Sequence, residues 1–598
     1  MRILGISFFY HDASACLLED GIPVAMADEE RFSRKKHDSD FPKNAIEFVL
    51  RQANITAQEV DWVVFYEKPF IKFDRIIKTS LATFPWAPQV FAESLKHLFL
   101  DKLWIRQLIA DELKIAPKKV LFSNHHLSHG ASAFFCSPWE RAAILTVDGV
   151  GEWATATLGI GENNTIRILK EIHFPHSLGL LYSAVTAFLG FEVNEGEYKV
   201  MGMAPYGKPR FVSEIRKLLE QFPDGSFALD LKYFRFHRSL TNTYSKEFIK
   251  LFGTPRDPKS KFFTRDTGWP PYFGPQPEPE EYERKAIEQE RYADLAASVQ
   301  VVLEEFLQKL VAHLHELTGE DRLCYAGGVA LNSVANWKLL KQGPFKELYI
   351  QPAAGDGGGS LGAALALHHI GLQQPRSFVL AHGSYGAAHS REEILKAIEK
   401  SGLTFEEITD EDKLVETIGG KIAEGMVIGW FHGRFEWGPR ALGNRSILAD
   451  PRRVEMKDIV NTKIKFREPY RPFAPSVLAE HASEYFEMTG DPWPARFMLY
   501  VVPVRSEKQT IVPAITHVDG TARPQMVYES ATPRYWKLIK AFAKKTGVPM
   551  VMNTSFNLKG EPIVNTPEDA LSTFQRSGMD ILVLENFIVY RSSGELSQ

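Results

Sequence analysis

Residues 2–9 (RILGISFF) form an apolar, β-prone run, a second run covers 13–18 and a third covers 22–28, with Asp20-Gly21 between the last two. Asp-Gly between apolar runs is a hairpin signal, because both residues accept the positive φ that a tight turn needs. The same script returns after residue 140, as AAILTVD (142–148), ATATLGI (154–160), a loop beginning at Gly161, and TIRILKEI (165–172). In both copies an apolar strand ends in a small, polar loop containing Asp, and two strands and a helix follow. The pattern predicts an internal duplication of a β-β-β-α unit.

Two such halves facing each other describe the actin/hexokinase-like (ASKHA) architecture, in which nucleotide binds between the lobes. Residues 205–290 break the pattern, and the proline-rich, acidic stretch 268–283 is expected to be a surface insertion or lid. Apolar periodicity then predicts a helix at about 290–317. Two glycine-rich turns follow, LCYAGGVALN (323–332) and QPAAGDGGGSLGAALA (351–366), with a helix ending near His369 and a linker at 372–375. From about 390 a new α/β unit begins (REEILKAIEKSG, then GMVIGWF at 425–431). The expected fold class is α/β, with one domain over 1–380 carrying an insertion at about 205–290, and a second domain over 381–598.

Composition narrows the function. Of 598 residues, 44% are hydrophobic, 12% aromatic and 24% charged, which excludes wholesale disorder and fibrous repeats. A net charge of −4 argues against a protein that chiefly binds nucleic-acid phosphates. Three scattered cysteines (Cys16, Cys136, Cys324) exclude a disulfide framework and any four-cysteine metal site. The uncharged run at 172–191 contains histidines, a proline and glycines, so it is read as a buried helix and not a membrane span. Residues 1–7 lack a signal-peptide pattern, and a cytoplasmic enzyme is the expectation.

The loop Asp356-Gly357-Gly358 opens a helix with uncrowded amides, a setting for phosphate or the edge of an adenosine. Gly327, Gly328 and Asn332 form a second such loop, though glycine serves tight packing as well. His125 and His129 are four apart at the start of a helix, so they project from one face with the spacing of two imidazole ligands. Asp148 and Asp356 are the candidate third and fourth ligands, and two nitrogens with two oxygens suit iron, manganese or zinc. His11, in the first strand-turn, is placed to take a proton from a substrate hydroxyl, or else to bond its neighbour Asp12. In the C-terminal part Arg434, Arg440, Arg445, Lys463, Lys465, Arg467, Arg471 and Arg523 stand among glycines, prolines and aromatics, followed by Asn553-Thr554-Ser555-Phe556-Asn557. Guanidinium forks hold phosphates, and lysine offsets charge on a transferring phosphoryl group; surface ion pairs with Glu436, Asp450 and Glu468 are the plainer reading.

Together these motifs resemble the O-carbamoyltransferases of the nodulation-factor, cephamycin and tobramycin type. The matching pieces are FYHDASA (9–15), EERFSRKKHD (29–38), HHLSHGASAF (125–134), VDGVGEWAT (147–155), EYKVMGMAPYG (197–207), GGVALN (327–332), GDGGGSLGAALA (355–366), EWGPRALGNRSILADPR (436–452), KFREPYRPFAP (465–475) and NTSFN (553–557). The resemblance implies an N-terminal domain related to tRNA threonylcarbamoyl-transferase and a C-terminal YrdC-like domain. It implies that carbamoyl phosphate and ATP, with magnesium, give carbamoyl-adenylate at the C-terminal site. The carbamoyl group then moves at the metal-bearing N-terminal site to a hydroxyl of a small-molecule acceptor, a secondary metabolite or sugar-like compound. It implies that Arg440, Lys465, Arg471, Arg523 and Ser555 hold carbamoyl phosphate or ATP beside Asn553 and Asn557. His125, His129, Asp148 and Asp356 would ligate the metal, with iron favoured, and His11 would serve the transfer. Neither nucleic acid nor membrane is an expected partner, and a homo-oligomer is compatible with the sequence.

The alternatives are an actin-like small-molecule kinase, a tRNA-modification protein, and a nucleotide-regulated scaffold. The first leaves the C-terminal arginines and the histidine pair without a role. The hydrogenase-maturation carbamoyltransferase shares the chemistry but carries cysteine-rich zinc fingers, which three scattered cysteines cannot build.

Overall fold

The computed structural model describes residues 1–83, 104–239, 241–465 and 468–591. They form two compact units. The first holds Met1–Glu29, Ser39–Thr264 and Glu280–Leu380; the second holds Glu30–Asp38, Arg265–Pro279 and Ala381–Gln598.

The first unit is built on two five-stranded sheets. Strands β1 (Arg2–Ser7), β2 (Ser14–Glu19), β3 (Ile22–Asp28), β4 (Trp62–Phe65) and β5 (Val120–Phe122) lie in the order β3-β2-β1-β4-β5. Asp20 (φ 48°) and Gly21 (φ 82°) close the β2–β3 hairpin with the left-handed pair that matches strand twist. Strands β6 (Arg141–Val147), β7 (Ala154–Glu162), β8 (Thr165–His173), β9 (Arg322–Ala326) and β10 (Glu347–Tyr349) lie in the order β10-β9-β6-β7-β8. In both sheets the first strand is central, with two antiparallel followers on one side and two parallel strands on the other. The duplicated meander is therefore real, and its strand order is that of the actin/hexokinase-like fold.

Two short helices pack between the sheets' strand ends, α1 (His125–Phe134) and a later one at Gly359–Ala366, and both are almost wholly buried. Small residues let them approach: a Cβ on Gly362 would stand 1.8 Å from the Ser128 carbonyl oxygen, and one on Gly5 would stand 1.9 Å from that of Ser360. The uncharged run at 172–191 is not one helix. It begins in β8, turns through the cis Phe174–Pro175 bond, and enters α2 (Leu178–Phe188), whose first turn is capped by the Ser177 hydroxyl accepting the Leu180 amide. The predicted helix at 290–317 starts earlier, as α3 (Pro279–Thr318), because proline suits a first helical position and Glu280 and Glu281 favour the positive helix end. The stretch 268–283 is accordingly not a single loop. Among the described residues no helix is long and apolar enough to cross a membrane.

The second unit carries one eight-stranded mixed sheet. Its strands are β11 (Thr404–Glu407), β12 (Ile428–Phe431), β13 (Arg445–Ala449), β14 (Ala474–Leu478), β15 (Gln525–Val527), β16 (Met550–Ser555), β17 (Ile581–Leu584) and β18 (Phe587–Tyr590), in the order β11-β18-β17-β12-β13-β16-β14-β15. The apolar run at 425–431 becomes β12, fully buried. The helix foreseen from 391 spans Arg391–Ser401, with a capping box at Ser390 and Glu393 and left-handed Gly402 at its end.

Candidate active site

α1 and the ends of β6 and of the 351–358 loop bring four chain positions together in the first unit. His125 Nε2 lies 3.1 Å from His129 Nε2, 2.9 Å from Asp148 Oδ2 and 3.7 Å from Asp356 Oδ1; His129 Nε2 lies 3.5 Å and 3.4 Å from the same two oxygens. All four side chains are buried. Among the described residues neither oxygen of Asp356 has a hydrogen-bond partner, an arrangement that is costly in a dry interior unless a cation or proton is shared there. Four donors about 2.1 Å from one centre in a tetrahedron stand ~3.4 Å apart, so the spacing and the N₂O₂ set fit a divalent metal.

Electrostatics binds the four together. Burial opposes ionisation of Asp148, but bonds to His125 and His129 hold its carboxyl well below the usual carboxylate range. Burial likewise opposes charge on His129, yet Asp148 and Asp356 raise it to about 9. His126 is different: burial, with His125 and His129 nearby, lowers it to about 3, and its two nitrogens are satisfied by the Thr146 hydroxyl at 2.6 Å and the Ala154 carbonyl at 2.8 Å. It packs and does not ligate. Outside the cluster, the Gly328 amide donates to Asp148 Oδ1 at 3.0 Å, and Glu152 accepts the His125 amide at 2.9 Å, anchoring the start of α1.

The glycine loops have structural duties of their own. Gly327 is left-handed (φ 96°), and a Cβ there would stand 2.2 Å from the Val147 carbonyl oxygen. A Cβ on Gly358 would stand 2.3 Å from the Ala353 oxygen, while the Gly357 carbonyl accepts the Ser14 hydroxyl at 2.7 Å. Asn332 caps a helix through the Ala335 amide and exchanges bonds with Gln300. His11, on the loop after β1, bonds Asp12 through Nδ1 at 2.7 Å and the Asn194 carbonyl through Nε2 at 2.8 Å.

In the second unit the sheet itself gathers the cations. Ser555 ends β16 opposite Ser446 at the start of antiparallel β13, which Arg440 precedes. Asn553 pairs with Ala474 at the start of β14, which Arg471 precedes, and Gln525 opens β15, parallel to β14, two residues after Arg523. The end of β16 and the starts of β13, β14 and β15 therefore lie at one end of the sheet, and Arg440, Arg471 and Arg523 lie in the segments that lead into those strand starts. Lys465 joins them, its ammonium donating to the Ser555 carbonyl at 2.5 Å and to the Asn557 carbonyl and Oδ1 at 2.9 and 2.8 Å. Asn553 is buried and donates to the Ser476 hydroxyl and the Ala441 carbonyl, so it shapes that end from beneath.

Two arginines are used differently. Arg434 donates to the carbonyls of Tyr385 and Gly386, and Arg445 is fully buried over the Phe431 ring with bonds to the carbonyls of His432, Gly433, Asn444 and Ala387. Both brace backbone. Lys463 is exposed, Arg467 lies outside the described residues, Arg471 stands 3.5 Å from Glu468 with both half-buried, and Arg452 pairs at 2.7 Å with Asp450, which is buried and so no surface partner. Glu436 is no surface partner: its Oε1 accepts the amides of Leu442 and Asn444 at 2.7 and 2.6 Å. The sequence offers Glu436 only as a surface ion-pair partner and gives Glu152 and Arg31 no task beyond their place inside the quoted motifs.

Comparison with known proteins agrees across the chain. A family model described as Carbamoyltransferase N-terminus matches residues 2–365, and one described as Carbamoyltransferase C-terminus matches 420–591. The chain is 44% identical to an uncharacterized protein of Synechocystis sp., covering 99% of this chain and 97% of that one. It is 38% identical to the nodulation protein NolNO of Sinorhizobium fredii, covering 97% and 79%. It is 33% identical to the 3'-hydroxymethylcephem-O-carbamoyltransferase of Amycolatopsis lactamdurans, covering 47% and 51%.

Proposed function

The chain belongs to the carbamoyltransferase family, and from that membership we propose an ATP-dependent O-carbamoyltransferase that works through carbamoyl-adenylate. Water splits carbamoyl phosphate to carbamate and phosphate. A carbamate oxygen then attacks the α-phosphorus of ATP, and pyrophosphate leaves. A hydroxyl of a small-molecule acceptor next attacks the carbamoyl carbon, its proton is taken up, and AMP leaves. Adenylation is needed because carbamate otherwise has only oxide or hydroxide to expel.

The observation that carries the reading is Lys465 fastened to Ser555 at the end of the sheet where the segments bearing Arg440, Arg471 and Arg523 enter their strands, which suits small anions in a chain of net charge −4. There the guanidiniums would hold phosphate oxygens, and Lys465 would offset charge on the reacting phosphoryl group. In the first unit His125, His129, Asp148 and Asp356 would hold a divalent metal, which supplies Lewis acidity or a grip on the adenylate phosphate. His11 would accept the acceptor's proton, and the glycine loops around 327 and 357 would border the nucleotide.

The protein should release pyrophosphate and phosphate from ATP plus carbamoyl phosphate, and Lys465→Ala should abolish that release. Normal release from the variant removes the site assignment, and ADP as product would favour the kinase reading. Mass spectrometry for a gained carbamoyl group across a panel of hydroxylated metabolites identifies the acceptor.

A further inference from the structure

The segment Glu30–Asp38 lies far upstream of the other parts of the second unit and yet is built into it. Arg34 pins it, donating to the carbonyls of Ile563 at 2.7 Å and Pro562 at 2.9 Å, with Asp569 at 3.5 Å. Three residues earlier, Arg31 is only 1% exposed, an unusual place for an arginine. Its Nη2 donates to the carbonyl of Glu436 at 3.1 Å and to that of Gly438 at 2.9 Å. Its guanidinium stands 5.4 Å from the Phe435 ring centroid, and the Phe32 ring packs edge-on against Phe435 at 6.2 Å.

Those two carbonyls belong to the turn that carries Arg440. Gly438 sits at φ 100°, a backbone conformation that favours glycine, and without a side chain it adds no packing of its own to fix the turn. Pro439 follows, with its own φ fixed and no amide to donate. The direction of Arg440 is therefore set by what holds the peptides on either side. On the far side the Glu436 carboxylate accepts the amides of Leu442 and Asn444, and Asn553 donates to the Ala441 carbonyl at 3.2 Å. On the near side the hold is Arg31.

We propose that Arg31 is a positioning residue of the second unit's anion site: by bonding the carbonyls of Glu436 and Gly438 it aims the Gly438–Pro439–Arg440 turn at the carbamoyl phosphate or ATP that Arg440 meets. The idea rests on the proposed function. It places a determinant of substrate affinity within the first 40 residues, in a stretch of the chain matched by the N-terminal family model. Nε and Nη1 of Arg31 are buried without a hydrogen-bond partner among the described residues, so its positive charge also remains unneutralised by direct bonds beside the turn.

The test is steady-state pyrophosphate release by the full-length protein, varying carbamoyl phosphate and ATP separately. Arg31→Met should raise the KM of one substrate, carbamoyl phosphate or ATP, by ~10-fold or more while the other stays within about twofold, because the misdirected Arg440 meets one of the two. Arg31→Lys should recover part of the loss, since an ammonium reaches one of the two carbonyls. A folded Arg31→Met protein with neither KM moved overturns the inference, as does an equal rise in both KM values. If Arg31→Met does not fold, the same two criteria apply to Arg31→Lys. Wild-type protein that releases no pyrophosphate overturns the proposed function and this inference together; wild-type release with neither KM moved in the variant overturns this inference alone.

Discussion

The imidazole Nδ1 of His11 lies 2.7 Å from Oδ2 of Asp12, and the other ring nitrogen faces the Asn194 carbonyl. The carbonyl takes the proton of one nitrogen, and a second proton on the nitrogen facing Asp12 would make the ring an imidazolium. Burial opposes that charge, but the bond to Asp12, helped by Asp356, lifts the pKa to about 10. A base so strong is largely occupied at neutral pH. The transfer rate should therefore rise by roughly tenfold per pH unit toward pH 10 if His11 takes the acceptor's proton. Asp12→Asn removes the main raising influence, and the inflection should move to lower pH. A flat profile between pH 6 and 9 would sink the base assignment. The sign for stability is opposite: with a folded value above 6.5, the pair stabilises fully below about pH 6.5 and that contribution fades as pH rises through about 10.

Asp356 contributes the carboxylate with the fewest other commitments, since neither oxygen is hydrogen-bonded among the described residues. Asp356→Asn keeps the shape and removes the charge. Metal affinity should fall by more than the roughly 10- to 100-fold typical of changes outside the ligand set. Elemental analysis of the purified variant checks this, and undiminished metal content would show that the cluster is not the metal site.

Gly362 sets the approach of its helix to α1. A methyl group there would meet the Ser128 carbonyl at 1.8 Å, which backbone cannot tolerate. Gly362→Ala should destabilise by about 1–3 kcal/mol or more and loosen the Asp356 side of the cluster. Urea unfolding measures the first effect and metal retention the second; unchanged values for both would contradict the packing argument.

Glu436 holds the arginine-bearing turn from inside, through the amides of Leu442 and Asn444. Glu436→Ala strands both amides, at about 1–3 kcal/mol each, whereas Glu436→Gln keeps an acceptor oxygen and should lose less. Thermal melts with pyrophosphate release should rank wild type above Gln above Ala. An alanine variant equal to wild type would mean that solvent replaces the carboxylate.

Local features were readable without a structure. The Asp20-Gly21 hairpin, the repeated meander and the one-face spacing of His125 and His129 all follow from short-range rules of turn chemistry and periodicity. The helix α3 began earlier than apolar periodicity indicated, because its first turns are charged and the signal there is proline and glutamate.

The sequence by itself determined the two meanders, most of the helices and the candidate groups of two sites, though not the division of the 172–191 run into a strand and a helix. Only the tertiary structure decided the partners. Asp356 reaches His125 from more than two hundred residues away in sequence, with Gly362 admitting the close approach of the two helices, and the segments bearing Arg440, Arg471 and Arg523 enter one end of a sheet because strand order folds distant starts and ends together. Arg434 and Arg445 look like Arg440 in the sequence, yet their guanidiniums are taken up by backbone carbonyls. The segment Glu30–Asp38 carries no local sign that it belongs to the second unit. The reason is physical: periodicity records that a face is buried, while what covers it is settled by cooperative packing over long sequence separations.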